Sequence, residues 1–163
     1  MPPVRGRAAM KTYAELLDDA ARRVRQIMPW DLAERLAREP RPIVVDVREP
    51  AEYAGCRIRG AISVPRGVLE AACSWDYDDT VPALAAGRER AAVVVCRSGH
   101  RSLLAADTML QLGFADVASL ATGIRGWNDA EQPLVDGDGR AVDADAAEEM
   151  LAAGVRDDQK RPR

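Results

Sequence analysis

The chain has one histidine, His100, and three cysteines, Cys56, Cys73 and Cys96, no two of them spaced Cys-x-x-Cys. An odd number of cysteines without a close pair argues against a disulfide framework and against a structural zinc site. A metal centre built on imidazole is short of ligands unless His100 itself takes part, so no metal and no cofactor is expected. Charge of one sign is lacking too. The 23 basic and 26 acidic residues leave a formal −3, which suggests neither nucleic acid nor a membrane surface as partner. No apolar run approaches the ~18 residues that cross a bilayer. Met1 to Met10 is Arg-rich and has no apolar stretch, so it does not read as a secretory signal. It reads as a leader, with Met10-Lys11 as an alternative start, and the cytoplasm is the expected compartment. No internal repeat is found.

What is present suits one globular domain. At 163 residues, with 47% apolar and 30% charged residues, the chain can bury a core and has an ordinary soluble balance. Thr12 and Glu15 have capping-box spacing, and Leu16, Leu17, Ala20, Ala21, Val24 and Ile27 recur at helical intervals, so a helix is expected from Thr12 to Met28. Pro29 suits the first turn of a second short helix carrying Leu32 and Leu36. After Pro40-Arg41-Pro42 comes Ile43-Val44-Val45-Asp46-Val47, a β-branched run of the kind buried on both faces of a parallel sheet. Similar runs return at Ile62 to Val64, Ala92 to Cys96 and Val117 to Leu120. Each is followed by a helical stretch: Pro50 to Ala54, Gly67 to Ala72, Arg101 to Leu112 (ended by Gly113), and Ile124 to Ala130. This alternation predicts an α/β fold with a mainly parallel central sheet flanked by helices. Trp75 to Thr80 reads as an exposed acidic loop, with a recognition element as the alternative. Ala144 to Ala153 forms a last helix before a polar tail from Arg156.

The chemistry gathers in Val95-Cys96-Arg97-Ser98-Gly99-His100-Arg101-Ser102. A buried strand ends at a cysteine, a short loop follows, and a helix begins near Arg101. In an open α/β sheet, ligands bind at the carboxyl ends of the strands. A loop that wraps into a helix N-terminus turns several backbone N–H groups inward and cradles an anion. A cysteine there has its thiolate stabilised by those groups, by the helix dipole, and by Arg97 and Arg101. An inert core cysteine would leave two arginines, a serine and a glycine in the next five positions unexplained.

Four motifs in order resemble those of rhodanese domains. Asp46-Val47-Arg48-Glu49-Pro50-Ala51-Glu52-Tyr53 resembles the Asp-Val-Arg-Glu-x-x-Glu-Tyr/Phe signature. Arg59-Gly60-Ala61-Ile62-Ser63-Val64-Pro65 is similar to Pro-Gly-Ala-x-x-Ile-Pro. Cys96 to Ser102 matches the six-residue active loop, and Leu120 to Trp127 resembles the closing Leu-x-Gly-Gly-x-x-x-Trp. The resemblance covers roughly Glu39 to Pro133. It implies the rhodanese-like fold and a sulfurtransferase in which Cys96 accepts sulfane sulfur as a persulfide. Arg97, Ser98, Gly99, His100 and Arg101 would then bind the donor. Donor and acceptor are small molecules such as thiosulfate, cyanide or a thiol, or another protein's persulfide. The implied organisation is a leader and helix over 1–28, the rhodanese-like domain over 29–135, and a C-terminal helix and tail over 136–163. Two departures concern donor preference: Arg57 and Arg59 replace a histidine and a proline common in the family, and Thr122 replaces the first closing glycine.

Asp46, Arg48, Glu52 and Ser102 are expected to brace the site rather than react. Cys56 packs in the core or resolves a Cys96 persulfide; Cys73 is structural; Trp127 belongs to the core. His100 either tunes the thiolate and meets the donor or faces solvent. Two rival functions stand beside sulfur transfer. A cysteine phosphatase or arsenate reductase also uses a thiolate in an amide loop, but with five residues before its arginine where four separate Cys96 from Arg101. A binding module that has lost its chemistry is the other, and Cys96 speaks against it.

Overall fold

The computed structural model describes residues 9–163, so most of the leader expected at Met1 to Met10 lies outside the described residues. Thr12 caps α1 (Tyr13–Ala21): its hydroxyl accepts the Glu15 amide at 3.1 Å, and the Glu15 carboxylate accepts the Thr12 amide at 2.7 Å. The helix ends there, which corrects the expectation of a helix to Met28. Arg25–Ile27 is instead a strand, β1, paired in parallel with Ala118 to Leu120. The buried Val24 turns into one core and Ile27 into the other. Their spacing of three imitates a helical stripe, but the segment is a turn and then extended backbone, drawn out by the free edge of a neighbouring strand.

Next come α2 (Pro29–Leu36), β2 (Ile43–Asp46), α3 (Pro50–Gly55), β3 (Ile62–Ser63), α4 (Leu69–Ala72), α5 (Pro82–Ala85) and β4 (Ala92–Val95). α6 (His100–Gln111), β5 (Val117–Leu120), α7 (Gly123–Asp129) and α8 (Ala144–Leu151) complete the chain. Among these, α5, a single turn opened by Pro82, had no counterpart in the sequence reading.

All five strands are parallel, in the order β1-β5-β4-β2-β3, so β4 is the middle strand. Every residue of β2, β4 and β5 is buried, as expected of strands covered on both faces. Alternate residues feed two cores. Val45, Val94 and Cys96 join Leu69, Leu84, Leu103 and Met109 under α4, α5 and α6. Val44, Val93 and Val95 join Leu32, Ile124, Trp127 and Leu151 under α2, α7 and α8. Each buried valine contributes on the order of 1.5–3 kcal/mol, so the middle of the sheet is the most firmly held part of the molecule. Trp75 and Tyr77 are exposed in the acidic loop. Among the described residues no helix is long and apolar enough to cross a membrane.

Candidate active site

Cys96 is the first residue after β4, at the carboxyl end of the middle strand, and is 1% exposed. Gly99 and Ser102 donate their backbone N–H groups to its Sγ at 3.1 and 3.3 Å. These bonds require the chain to reverse sharply, and Gly99 does so at φ +96°, where it also serves as N-cap of α6. A Cβ there would press on Leu120 O and Thr122 N, both at 3.2 Å, so glycine serves both conformation and space. α6 starts at His100, one residue earlier than expected.

The Ser102 side chain adds a polar contact: its Oγ lies 3.4 Å from Cys96 Sγ and 2.8 Å from Ser119 Oγ on β5. All three residues are buried. A hydroxyl pair can reverse its hydrogen-bond direction, accepting from a thiol or donating to a thiolate. Ser119 was missed in the sequence reading. The only signal was a serine inside an otherwise apolar strand, where an unpaired hydroxyl would be costly.

The loop is held from behind by α7. Ile124 and Arg125 donate their amides to Cys96 O and Arg97 O at 2.9 and 3.0 Å. That approach leaves no room at Gly123, where φ is +63° and a Cβ would fall 2.4 Å from Arg97 C and O. The second glycine of the closing motif is therefore the indispensable one. Thr122 takes the first position in a left-handed conformation (φ +66°).

The two loop arginines have different surroundings. Arg101 forms a two-pronged ion pair with Glu52, Nη1 to Oε2 at 2.8 Å and Nη2 to Oε1 at 2.9 Å. Both guanidinium ends are thus committed to a carboxylate. Arg97 has no ion pair among the described residues, and its Nε is buried without a hydrogen-bond partner. Ser98 is half-buried. His100 is exposed, with the Tyr13 ring edge-on at 6.1 Å.

Asp46 and Arg48 lie behind this layer, 0% and 1% exposed. Arg48 donates Nε and Nη2 to the Asp46 carboxylate at 2.7–3.2 Å, and also Nη2 to Cys56 O at 2.7 Å and Nη1 to Glu52 O at 3.3 Å. Burial opposes the Arg48 charge, yet the Asp46 carboxylate outweighs it and the net shift is upward. The pair fixes the backbone of α3, α3 presents Glu52, and Glu52 holds Arg101. Cys56 and Cys73 are buried in opposite cores, their thiols pushed up by desolvation. Cys56 packs on the face of the sheet away from Cys96, which favours its packing reading.

The hydrogen bonds from Arg101 hold the Glu52 carboxyl down to about 2 from its ordinary 4.5. A carboxyl depressed by folding stabilises fully above its unfolded value, and that contribution disappears as pH falls through the folded one. Glu52→Gln is therefore expected to melt below wild type near neutral pH, by up to about 1 kcal/mol for this partly exposed pair. The gap should close as pH drops from about 4.5 towards 2. A gap constant across that window, followed by thermal melts, would mean the pair does not form as described.

Comparison with known proteins agrees with this geometry. The family model for the rhodanese-like domain matches residues 29–130. A sulfurtransferase of Allochromatium vinosum is 32% identical over 112 residues, covering 69% of this chain and 95% of the relative. The thiosulfate sulfurtransferase GlpE of Pseudomonas fluorescens is 33% identical over 100 residues, covering 61% of this chain and 82% of the relative. A solved structure from Rhodopseudomonas palustris, of unknown function and described as a possible tyrosine phosphatase, superposes with a TM-score of 0.69. It is 26% identical, covering 80% of this chain and 98% of that one. With its all-parallel sheet, its loop at the end of the middle strand and the family match across most of its length, the chain belongs to the rhodanese-like family and has sulfurtransferases among its relatives.

Proposed function

We propose that the protein transfers sulfane sulfur from a small anionic donor such as thiosulfate to a thiophilic acceptor, through a persulfide on Cys96. The observation that carries this reading is the convergence of the Gly99 and Ser102 amides on Cys96 Sγ. In the first half-reaction the thiolate attacks the outer sulfur of thiosulfate; an S–S bond forms at Cys96, the donor's own S–S bond breaks, and sulfite leaves with the electron pair. In the second, cyanide or a thiolate attacks that outer sulfur, and the Cys96 thiolate leaves. The negative charge passes from Sγ to the outer sulfur in the first step and returns to Sγ in the second, so the amides converging on Sγ stabilise the thiolate that opens the cycle and the one that leaves at its end.

The phosphatase reading is the weaker one. A phosphoryl group needs an arginine whose two nitrogens are free to grip its oxygens, and Arg101 spends both on Glu52. Incubation with thiosulfate should add the mass of one sulfur atom to the protein, located at Cys96 and removed by cyanide. Hydrolysis of p-nitrophenyl phosphate with no sulfur uptake would replace this reading with the rival.

Arg97, uncommitted to any carboxylate among the described residues, is the residue that receives the donor. Arg97→Ala should raise the KM for thiosulfate about 10- to 100-fold, the worth of a hydrogen bond to a charged group, with little change in melting temperature. Arg101→Ala should do the reverse and cost stability first. Steady-state kinetics beside thermal melts distinguish the two, and an unchanged KM in Arg97→Ala would remove it from the donor site.

A further inference from the structure

A cavity of about 620 Å³ opens at the opposite end of the sheet from Cys96. Its floor is the start of β2, Ile43 and Val44, and its walls include Leu36, Ile58, Trp127 and Leu134. β2 and β4 run in parallel register, Ile43 beside Ala92 and Asp46 beside Val95. The length of a strand, about 10 Å at ~3.3 Å per residue, therefore separates the cavity floor from the reactive loop. Its size falls within the range of small-molecule pockets, which combine apolar walls with a few polar groups.

The charged groups here share one sign. Arg41, Arg59 and Arg90 line the cavity and no carboxylate does, in a chain whose acidic residues outnumber its basic ones. Arg41 is paired with Glu39 at 3.2 Å. Arg59 and Arg90 contact only backbone carbonyls, Gly139 O at 3.2 Å and Arg41 O at 3.5 Å. Two guanidinium groups thus stand over an apolar bowl with their charge unneutralised by any carboxylate among the described residues. Arg59 is also one of the two arginines that replace the usual family residues, and the sulfur chemistry at Cys96 gives it no task.

We propose that this cavity binds a medium-chain carboxylate, with its hydrocarbon tail against Ala33, Leu36 and Pro133 at the mouth of the bowl and its anionic head between Arg59 and Arg90. A fully polar anion would leave the walls wet, and a neutral apolar compound would leave the two arginines without a counter-charge. Among the described residues none of its lining residues is hydrogen-bonded to the Cys96 loop, so binding there is independent of sulfur transfer.

The test is isothermal titration with decanoate, octanoate and decyltrimethylammonium, each below its micellar concentration, on wild type and on the Arg59→Gln, Leu36→Glu and Cys96→Ser variants. Decanoate should saturate one site per chain and bind roughly fifteenfold more tightly than octanoate, the effect of two buried methylenes. Arg59→Gln, which keeps a donor for Gly139 O, should weaken decanoate about fivefold, the worth of a partly exposed charge contact. Leu36→Glu, which sets a carboxylate in the bowl, should abolish binding in a protein whose circular dichroism is unchanged. Cys96→Ser should bind as wild type does. Equal affinity for decanoate and decyltrimethylammonium, or an Arg59→Gln variant indistinguishable from wild type, would overturn the proposal. A dimer by sedimentation that decanoate does not disperse would also overturn it, by assigning the groove to a second copy of the chain.

Discussion

Cys96→Ser is expected to lower sulfur transfer at least about a thousandfold while leaving the melting curve nearly where it was. The substituted oxygen is smaller than sulfur but can accept the same Gly99 and Ser102 amides and meet the same Ser102 hydroxyl, so the loop keeps its shape. What it cannot do is ionise readily and form a bond to sulfane sulfur that the acceptor can later break. Thiosulfate–cyanide turnover and mass spectrometry after thiosulfate give independent readouts, loss of rate and loss of the added sulfur. Retention of a tenth of wild-type turnover would mean that the sulfur is carried elsewhere. Cys56 and Cys73 are poor substitutes, since both are buried and their thiols are pushed up by desolvation.

The second large effect is on stability. Asp46→Ala removes the carboxylate that is hydrogen-bonded to the Arg48 guanidinium, which is 1% exposed. Breaking one side of a buried ion pair costs about 3–5 kcal/mol because the remaining charge stays desolvated. Against the 5–15 kcal/mol that holds a typical domain together, such a loss should be plain in a urea titration. Activity should also fall in the protein that remains folded, because Arg48 positions the backbone of α3 and thereby Glu52 and Arg101. Asp19→Ala is the contrast: Asp19 pairs with Arg23 and Lys11 at the surface, and its loss should barely move the midpoint. A matched effect in the two variants would show that Asp46 and Arg48 are not buried together as described.

The sequence revealed the fold where its pattern and the packing agree. β2 and β4 are continuous β-branched runs, and only burial on both faces explains such runs, so their place in a parallel sheet was readable. β1 was not. Its three residues have no period of their own, and they are extended only because β5 offers an unpaired edge, a fact about the assembled sheet. The site divides in the same way. Cys96, Gly99 and Ser102 are close in the chain, and their local spacing already implied a loop of inward amides. The Glu52–Arg101 pair spans 49 positions and the Ser102–Ser119 contact 17. Glu52 was read as a brace from the family motif, but its partner could not be read. The commitment of Arg101 to that carboxylate, which separates the roles of the two arginines, emerges only once α3 and α6 are brought together.

The borders of the sheet bear on how the molecule behaves in a crowded solution. β1 offers three residues and β3 two, and the first two of β1, Arg25 and Gln26, are exposed and polar. A strand from another chain would find at either margin too few free backbone groups to begin a ladder, with a charge beside them at β1, and short charged margins of this kind guard against edge-to-edge aggregation. The long apolar strands that would be adhesive if uncovered, β2 and β5, lie one position inward. β4 lies two positions in from both margins, so fraying at either border is spent on another strand before it reaches the one that carries Cys96.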